Sequence, residues 1–213
     1  MYRVCVMLKK YFRSRKEAFE LIYEEEYWGQ NVKSGGGSTL EATQVTRKIM
    51  LKIIKDYDIK SIVDVACGDL TWMPLVLDEL KGSAKFTGCD IVESLITEHK
   101  KKYPQYSFKH LDFVEDNIPE GELIICREAL QHLPIKDIKQ ALKKFSASGA
   151  KYLLATTYLR TSVFKNKRDI RPGRCRNRNL IIEPFNLPNP LVIYSEELKG
   201  SDKFIGLWSL PFD

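Results

Sequence analysis

Apolar and polar residues change rhythm twice along the chain. Over residues 16–27 they recur at helical spacing, with Ala18, Phe19, Ile22 and Tyr23 on one side. A glycine-rich break follows, Ser34-Gly35-Gly36-Gly37-Ser38, which alone would pass for a flexible linker. A second helix is predicted from about Thr39, opened by Glu41, Thr43 and Gln44, with Val45, Ile49, Ile53 and Ile54 as its buried stripe. From residue 61 short apolar runs alternate with helical stretches. Strands are predicted at 61–66, 85–90, 106–110, 122–126 and 151–156, and helices at 70–80, 93–102 and 134–146. Pro74 falls in the first turn of one of these helices, where its missing N–H does no harm. Residues 191–194 and 204–209 then read as two strands too close for a crossover helix, which suits an antiparallel hairpin. The stretch 158–188 has no period, and a loop that long in a compact domain is usually functional or mobile.

Strands alternating with helices predict an α/β fold: a mostly parallel seven-stranded sheet, helices on both faces, and a terminal antiparallel hairpin. A chain of 213 residues is one domain. We divide it into a helical cap with a glycine-rich strap (1–58), a core (59–157), a substrate loop (158–188) and the hairpin (189–213). No apolar run approaches the roughly 20 residues of a membrane span. The stretch from Val4 to Leu8 is too short for a secretory signal. A soluble protein of the cytoplasm is expected.

The net charge of +6 is local. Residues 160–178 hold eight basic residues (Arg160, Lys165, Lys167, Arg168, Arg171, Arg174, Arg176, Arg178) and one acid, Asp169, for +7, so the remainder carries −1. That points to a local anionic or polar partner, or to a solvated loop, and not to a nucleic-acid surface over the whole protein. The five cysteines (Cys5, Cys67, Cys89, Cys126, Cys175) are widely spaced and form neither a disulfide framework nor a zinc signature. Cys67, Cys89 and Cys126 sit at strand ends, where a small buried hydrophobe is the simplest role.

In an open α/β sheet, ligands bind outside the carboxyl ends of the strands. Here those ends are acidic: Asp64-Val-Ala-Cys-Gly68-Asp69, Asp90-Ile91, Asp112-Phe113 and Arg127-Glu128. A dinucleotide frame set on Ala66 keeps only one glycine, Gly68, and Asp69 stands where a pyrophosphate would lie. A phosphate-free, positively charged cofactor suits this rim better, and S-adenosylmethionine is one. Asp90, 22 residues after Gly68, is placed to accept from ribose hydroxyls. Asp112 is placed to accept from an adenine amino group, with Phe113 beside the ring. Any one of these acids alone could be a helix cap or turn residue; four in order point to a site.

The Asp64–Asp69 turn, Asp90, Asp112 and the run Leu-Ile-Ile-Cys-Arg-Glu-Ala-Leu-Gln-His-Leu-Pro (123–134) together resemble class I S-adenosylmethionine-dependent methyltransferases over roughly residues 40–155. The resemblance implies a Rossmann-like fold, that cofactor, and S-adenosylhomocysteine as product. The departure is Ala66 at the first glycine of Asp-x-Gly-x-Gly, which a negative φ would allow. Tyr27-Trp28-Gly29, Ser34–Ser38 with Leu40-Glu41-Ala42-Thr43, Asp69 with Trp72-Met73, and Asn166-x-Arg168-Asp169-Ile170 are similar to methyltransferases of bacterial polysaccharide clusters and of large algal viruses, including chloroviruses, whose capsid glycans carry methylated sugars. This implies a sugar-hydroxyl acceptor in a glycan, with a rhamnose-like deoxysugar among the candidates, and makes the glycine-rich stretch a strap over the cofactor. If the source is viral, the compartment is the host cytoplasm. Trp28, Ser38, Ile91 and Arg127 join Asp64, Ala66, Gly68, Asp90, Asp112 and Phe113 as expected cofactor residues.

A hydroxyl acceptor must lose its proton, so a base or a metal is expected. Glu128 and His132 are i and i+4 if their turn is helical, hence on one face. His132 would take the proton with Glu128 orienting it, or Glu128 would act directly; a structural His132 is the alternative. Asp169 is the third catalytic candidate, and an Arg168/Asp169 pair would hold two neighbouring hydroxyls. Asp69, Trp72 and Tyr158 complete the expected acceptor site. No metal site is assigned, although Mg²⁺ between Glu128 or Asp69 and two sugar oxygens is conceivable. Competing functions are a methyltransferase on RNA, DNA or protein, and a binding module that keeps the fold. Against nucleic acid, Phe164 is the sole aromatic in the basic loop, and Cys126-Arg-Glu-Ala129 is no amino-methylation signature. An NAD enzyme is disfavoured by the glycines.

Overall fold

The computed structural model describes residues 14–196 and 202–212. Cys5 and the stretch from Val4 to Leu8 lie outside them. The elements in chain order are α1 (Arg15–Glu24), α2 (Gln44–Asp56), β1 (Ser61–Asp64), α3 (Met73–Leu80), β2 (Lys85–Asp90), α4 (Glu93–Lys102), β3 (Ser107–His110), β4 (Leu123–Cys126), α5 (Ile135–Ser146), β5 (Tyr152–Tyr158), the single turn α6 (Val163–Asn166), β6 (Val192–Ser195) and β7 (Lys203–Ser209). The seven strands form one sheet in the order β3-β2-β1-β4-β5-β7-β6. The first five are parallel neighbours, and β7 runs antiparallel to both β5 and β6. This is the mostly parallel seven-stranded α/β sheet with a terminal antiparallel hairpin that the alternation predicts.

Strands buried on both faces need apolar residues of both parities, which is why β4 is an unbroken Leu-Ile-Ile-Cys. Ile124 and Cys126 pack with Ile138, Ala141 and Phe145 of α5 on one side. Leu123 and Ile125 pack with Ile53 of α2 and Val76 of α3 on the other. Cys67, Cys89 and Cys126 are buried without disulfides, and Trp208 is sealed in the core with its indole N–H donated to the Pro188 carbonyl at 2.8 Å.

Some boundaries move for physical reasons. The second helix begins at Gln44, five residues late, because Thr39 and Thr43 spend their hydroxyls on local turns. The third begins at Met73 because Leu70 takes a left-handed φ of 53°, while Pro74 keeps its place in the first turn. β5 extends to Tyr158 because β7 pairs along its whole length, ending at Tyr158 opposite Lys203. The aperiodic 158–188 stretch is an ordered cap: Asn166 is buried and bonds the backbone of Asn179 and Glu183, and the Leu180 N–H bonds the Thr157 hydroxyl. No helix among the described residues is long and apolar enough to cross a membrane.

Candidate active site

The carboxyl ends of β1, β2 and β4 open into one cleft with about 980 Å³ of empty space, part of it continuous with solvent. All the expected cofactor residues line it: Trp28, Ser38, Asp64, Ala66, Gly68, Asp90, Ile91, Asp112, Phe113 and Arg127. Asp69, Trp72, Glu128 and His132 line it too.

The turn after β1 explains its residues. Gly68 has φ +58°, and a Cβ there would stand 2.3 Å from the Ser34 hydroxyl oxygen. Backbone geometry and close approach both demand glycine. Ala66 is not among the residues of positive φ, so alanine is tolerated at the first position of the motif. Asp90 closes the turn by accepting from the Gly68 N–H at 2.9 Å and the Val92 N–H at 3.0 Å. Each oxygen keeps a second lone pair for a ligand.

Asp64 and Asp90 are both buried at the floor of the cleft. Burial first, and then the Asp90 carboxylate, push the Asp64 carboxyl up from 3.8 to about 7. A carboxyl raised on folding stabilises the protein below its unfolded value, and that stability is lost as pH rises through the folded one. The melting temperature of the ligand-free protein should therefore fall between about pH 4 and pH 8. Asp64→Asn should flatten that slope and raise the melting temperature at pH 8, which differential scanning calorimetry across the range will show.

The glycine-rich stretch is fastened at two points. The Ser34 N–H donates to the Asp69 carboxylate at 3.0 Å, the Asp69 N–H donates to the Ser34 hydroxyl at 2.9 Å, and the Tyr23 phenol meets that hydroxyl at 2.8 Å. Further on, Gly37 lies against Glu128, where a Cβ would come within 2.6 Å of its Oε2. Asp69, expected to face the acceptor, uses its oxygens on Ser34 and on the N–H and hydroxyl of Thr71.

Beyond the end of β3, Asp112 is engaged as well. Its Oδ2 receives Arg15 Nε and Nη2 at 3.0 and 2.9 Å, and its Oδ1 receives the Val114 N–H. Arg15 also reaches Glu115 at 2.7 Å and Asp137 at 3.0 Å. One guanidinium thus ties α1 to three carboxylates and forms part of the cleft wall. Arg15 went unnoticed in the sequence because nothing local marks it; its partners lie about a hundred residues away. His99 lies in a basic stretch of the sequence and carries little weight there. It is buried and donates from Nε2 to the Gly68 carbonyl at 2.7 Å. Its spacing from Leu95 and Ile96 was the available signal.

The end of β4 carries the remaining polar groups. Glu128 is not helical: it has φ +54°, and only residues 130–132 form a 3-10 turn. The expected i, i+4 helical face of Glu128 and His132 is therefore replaced by a left-handed kink, strain of a kind that gathers at functional sites. Glu128 Oε1 accepts from the Tyr158 hydroxyl at 2.8 Å and from Gln131 at 3.0 Å, and Lys203 stands 3.7 Å from Oε2. Burial works to raise its carboxyl, but Lys203, Arg127, Tyr158 and Gln131 together hold it below the ordinary range. His132 Nδ1 lies 3.0 Å from the Arg174 carbonyl. A carbonyl only accepts, so Nδ1 carries the proton and Nε2 the lone pair of the neutral ring. Burial pulls the imidazole below its usual value despite Arg174 and Glu128. Its ring lies 4.7 Å from that of Trp28.

Arg127 and Glu196 form a buried ion pair at 2.6 Å, 4% and 0% exposed, and Thr46 donates to the same carboxylate oxygen at 2.7 Å. The guanidinium lies over the Trp72 ring at 5.5 Å. Tyr158 reaches the site only through Glu128 and does not line the cleft. Arg168 and Asp169 are exposed and outside it. Asp169 instead accepts from the N–H groups of Ile135 and Ile170, both at 2.8 Å, and so caps the start of α5. The bonding that the N-terminal turn of a helix requires has claimed this acid.

Comparison with known proteins agrees with this architecture. Residues 63–149 match the family model of a methyltransferase domain. The matched segment runs from β1 to the end of α5 and contains the glycine turn and both ends of the cleft floor. No curated protein sequence matches the chain. Among solved structures, the N-methyltransferase NodS of Bradyrhizobium japonicum WM9, in complex with S-adenosylhomocysteine, is similar with a TM-score of 0.63 at 11% identity, over 89% of this chain and 98% of that one. Magnesium protoporphyrin IX methyltransferase of Synechocystis PCC 6803, with bound S-adenosylmethionine, gives 0.64 at 13% identity, over 94% and 99%. Human N-acetylserotonin methyltransferase gives 0.60 at 14% identity, and the match spans 57% of that longer chain. At such identities the shared property is the methyltransferase fold.

Proposed function

We propose that this chain is an S-adenosylmethionine-dependent methyltransferase that acts on a hydroxyl of a small polar acceptor, with a sugar of a glycan as the acceptor class. The observation that carries it is the acid-rimmed cleft around Gly68 and Asp90. Its turn suits close backbone approach, while Asp64, Asp69 and Asp90 repel a pyrophosphate and favour a cation. Asp90 would hold the ribose, Phe113 would flank the adenine, and Asp112 would reach it only by sharing what it gives Arg15. When bound, the cofactor supplies a methyl group on a sulfonium, ready for in-line displacement.

The residues beyond the cofactor end have separable tasks. Glu128 stays ionised and accepts hydrogen bonds, so it orients an acceptor hydroxyl more readily than it takes a proton. His132 stays neutral near pH 7, its tautomer fixed by Arg174, so Nε2 is the group able to take that proton. The strap from Ser34 to Ser38 keeps water from the reacting atoms. The sugar reading draws on the sequence resemblance and on this hydroxyl-directed pair. The placement of Arg168 and Asp169 outside the cleft removes them from the proposed acceptor site.

His132→Gln should lower methyl transfer to a sugar acceptor by about a hundredfold or more while S-adenosylhomocysteine binding persists. The wild-type rate should fall only below the ordinary histidine range, because the free ring resists protonation. Deoxysugar glycosides screened beside oligonucleotides, with radiolabelled methyl donor, test the acceptor class. Transfer to the oligonucleotides alone would overturn the sugar assignment.

A further inference from the structure

The basic loop remains unused by the chemistry above. It is held rigidly against the site. The Gly173 N–H donates to the His132 carbonyl and the Arg176 N–H to the Gln131 carbonyl, both at 2.9 Å. Arg178, 1% exposed, donates to the carbonyls of Asn166, Arg168 and Leu133. Buried Asn166 fixes the end of α6 to the chain at Asn179 and Glu183. These anchors present α6 to solvent with its apolar residues outward: Phe164 is 76% exposed and Val163 41%. Around them stand Arg160, Lys165, Lys167, Arg168 and Arg171, all exposed. The acids nearby are occupied, Glu183 with Lys167 and Asp169 with the cap of α5.

From this we propose that α6 and its basic surround dock the protein on an anionic bilayer surface. An exposed phenylalanine is costly in water and gains by entering the acyl boundary, while lysine and arginine around it meet acidic headgroups. A solvated polar loop would gain nothing from Val163 and Phe164 facing outward together. A single-stranded nucleic acid would use an aromatic for stacking, but an adjacent exposed valine offers no stacking face, and no second aromatic lies in the loop. Exposed basic charge is gathered on this face, at Arg160, Lys165, Arg168 and Arg171 beside the Lys167–Glu183 pair, so it orients the molecule as well as attracting it. The inference rests on the loop alone and stands whatever group the cleft transfers.

The test is co-sedimentation of the full chain with vesicles of phosphatidylcholine containing phosphatidylserine, beside pure phosphatidylcholine vesicles and a single-stranded oligonucleotide. We expect salt-sensitive binding to the anionic vesicles, weakened about tenfold in Phe164→Ser and further in Lys165→Glu with Arg168→Glu. All three positions are exposed, and unchanged melting temperature shows that the variants fold. Absence of binding to anionic vesicles would overturn the proposal. So would binding that Phe164→Ser leaves untouched, or tighter retention of the oligonucleotide than of the vesicles. S-adenosylhomocysteine titration of the same variants should match the wild type, so failure of docking and failure of the methyltransferase assignment are read separately.

Discussion

Replacing Asp90 by alanine should weaken S-adenosylhomocysteine binding by about a hundredfold or more in calorimetric titration, equivalent to about 2.7 kcal/mol. The carboxylate has two tasks. It accepts the N–H groups of Gly68 and Val92, which fix the turn, and its remaining lone pairs face the cleft. Removing it frees a buried N–H at the point where a ligand must approach the backbone, so pre-organisation and direct contact are lost together. Asp90→Asn keeps one acceptor oxygen and should fall between the two. NAD should bind neither protein. Tight binding retained by the alanine variant would remove the cofactor assignment, because no other carboxylate lies at the end of β2.

The second large effect is on stability. Arg127→Met leaves the Glu196 carboxylate at a position with no solvent exposure and without its guanidinium. Breaking a buried pair from one side costs about 3–5 kcal/mol. The urea unfolding midpoint should drop accordingly. Arg127→Met with Glu196→Leu should recover most of the loss, because no uncompensated charge remains buried. Thr46 would then lose its acceptor, which keeps the recovery incomplete. A single variant as stable as the wild type would mean that water reaches Glu196.

The sheet was legible because its signal is local. An apolar run such as Leu123–Cys126 is buried on both faces wherever it is placed, and a helix between two such runs forces a parallel crossover. The acidic strand ends were legible for the same reason: topology carries Asp64, Asp90 and Asp112 to one edge once the strands are parallel. Groups whose role depends on distant partners were not. Arg15 has an ordinary helical context and acquires its meaning from Asp112, Glu115 and Asp137. Asp169 looked like a lone acid in a basic loop, yet the first turn of α5 claims it. Glu128 and His132 were expected on one helical face. Both do line the cleft, but through a left-handed residue that no periodicity announces.

Chains are made from the N-terminus, and the Arg127 pair gives that order a consequence. The counter-ion of Arg127 lies 69 positions later, and the same glutamate receives Thr46 from 150 positions earlier. Before Glu196 is added, the five parallel strands can already be out, yet Arg127 lacks the buried carboxylate that it meets at 2.6 Å in the finished fold. The nascent protein thus has every residue of the glycine turn and still lacks the contact that seats the wall opposite it. Completion of the cleft thus waits for Glu196, just past β6, to reach a charge already placed just past β4.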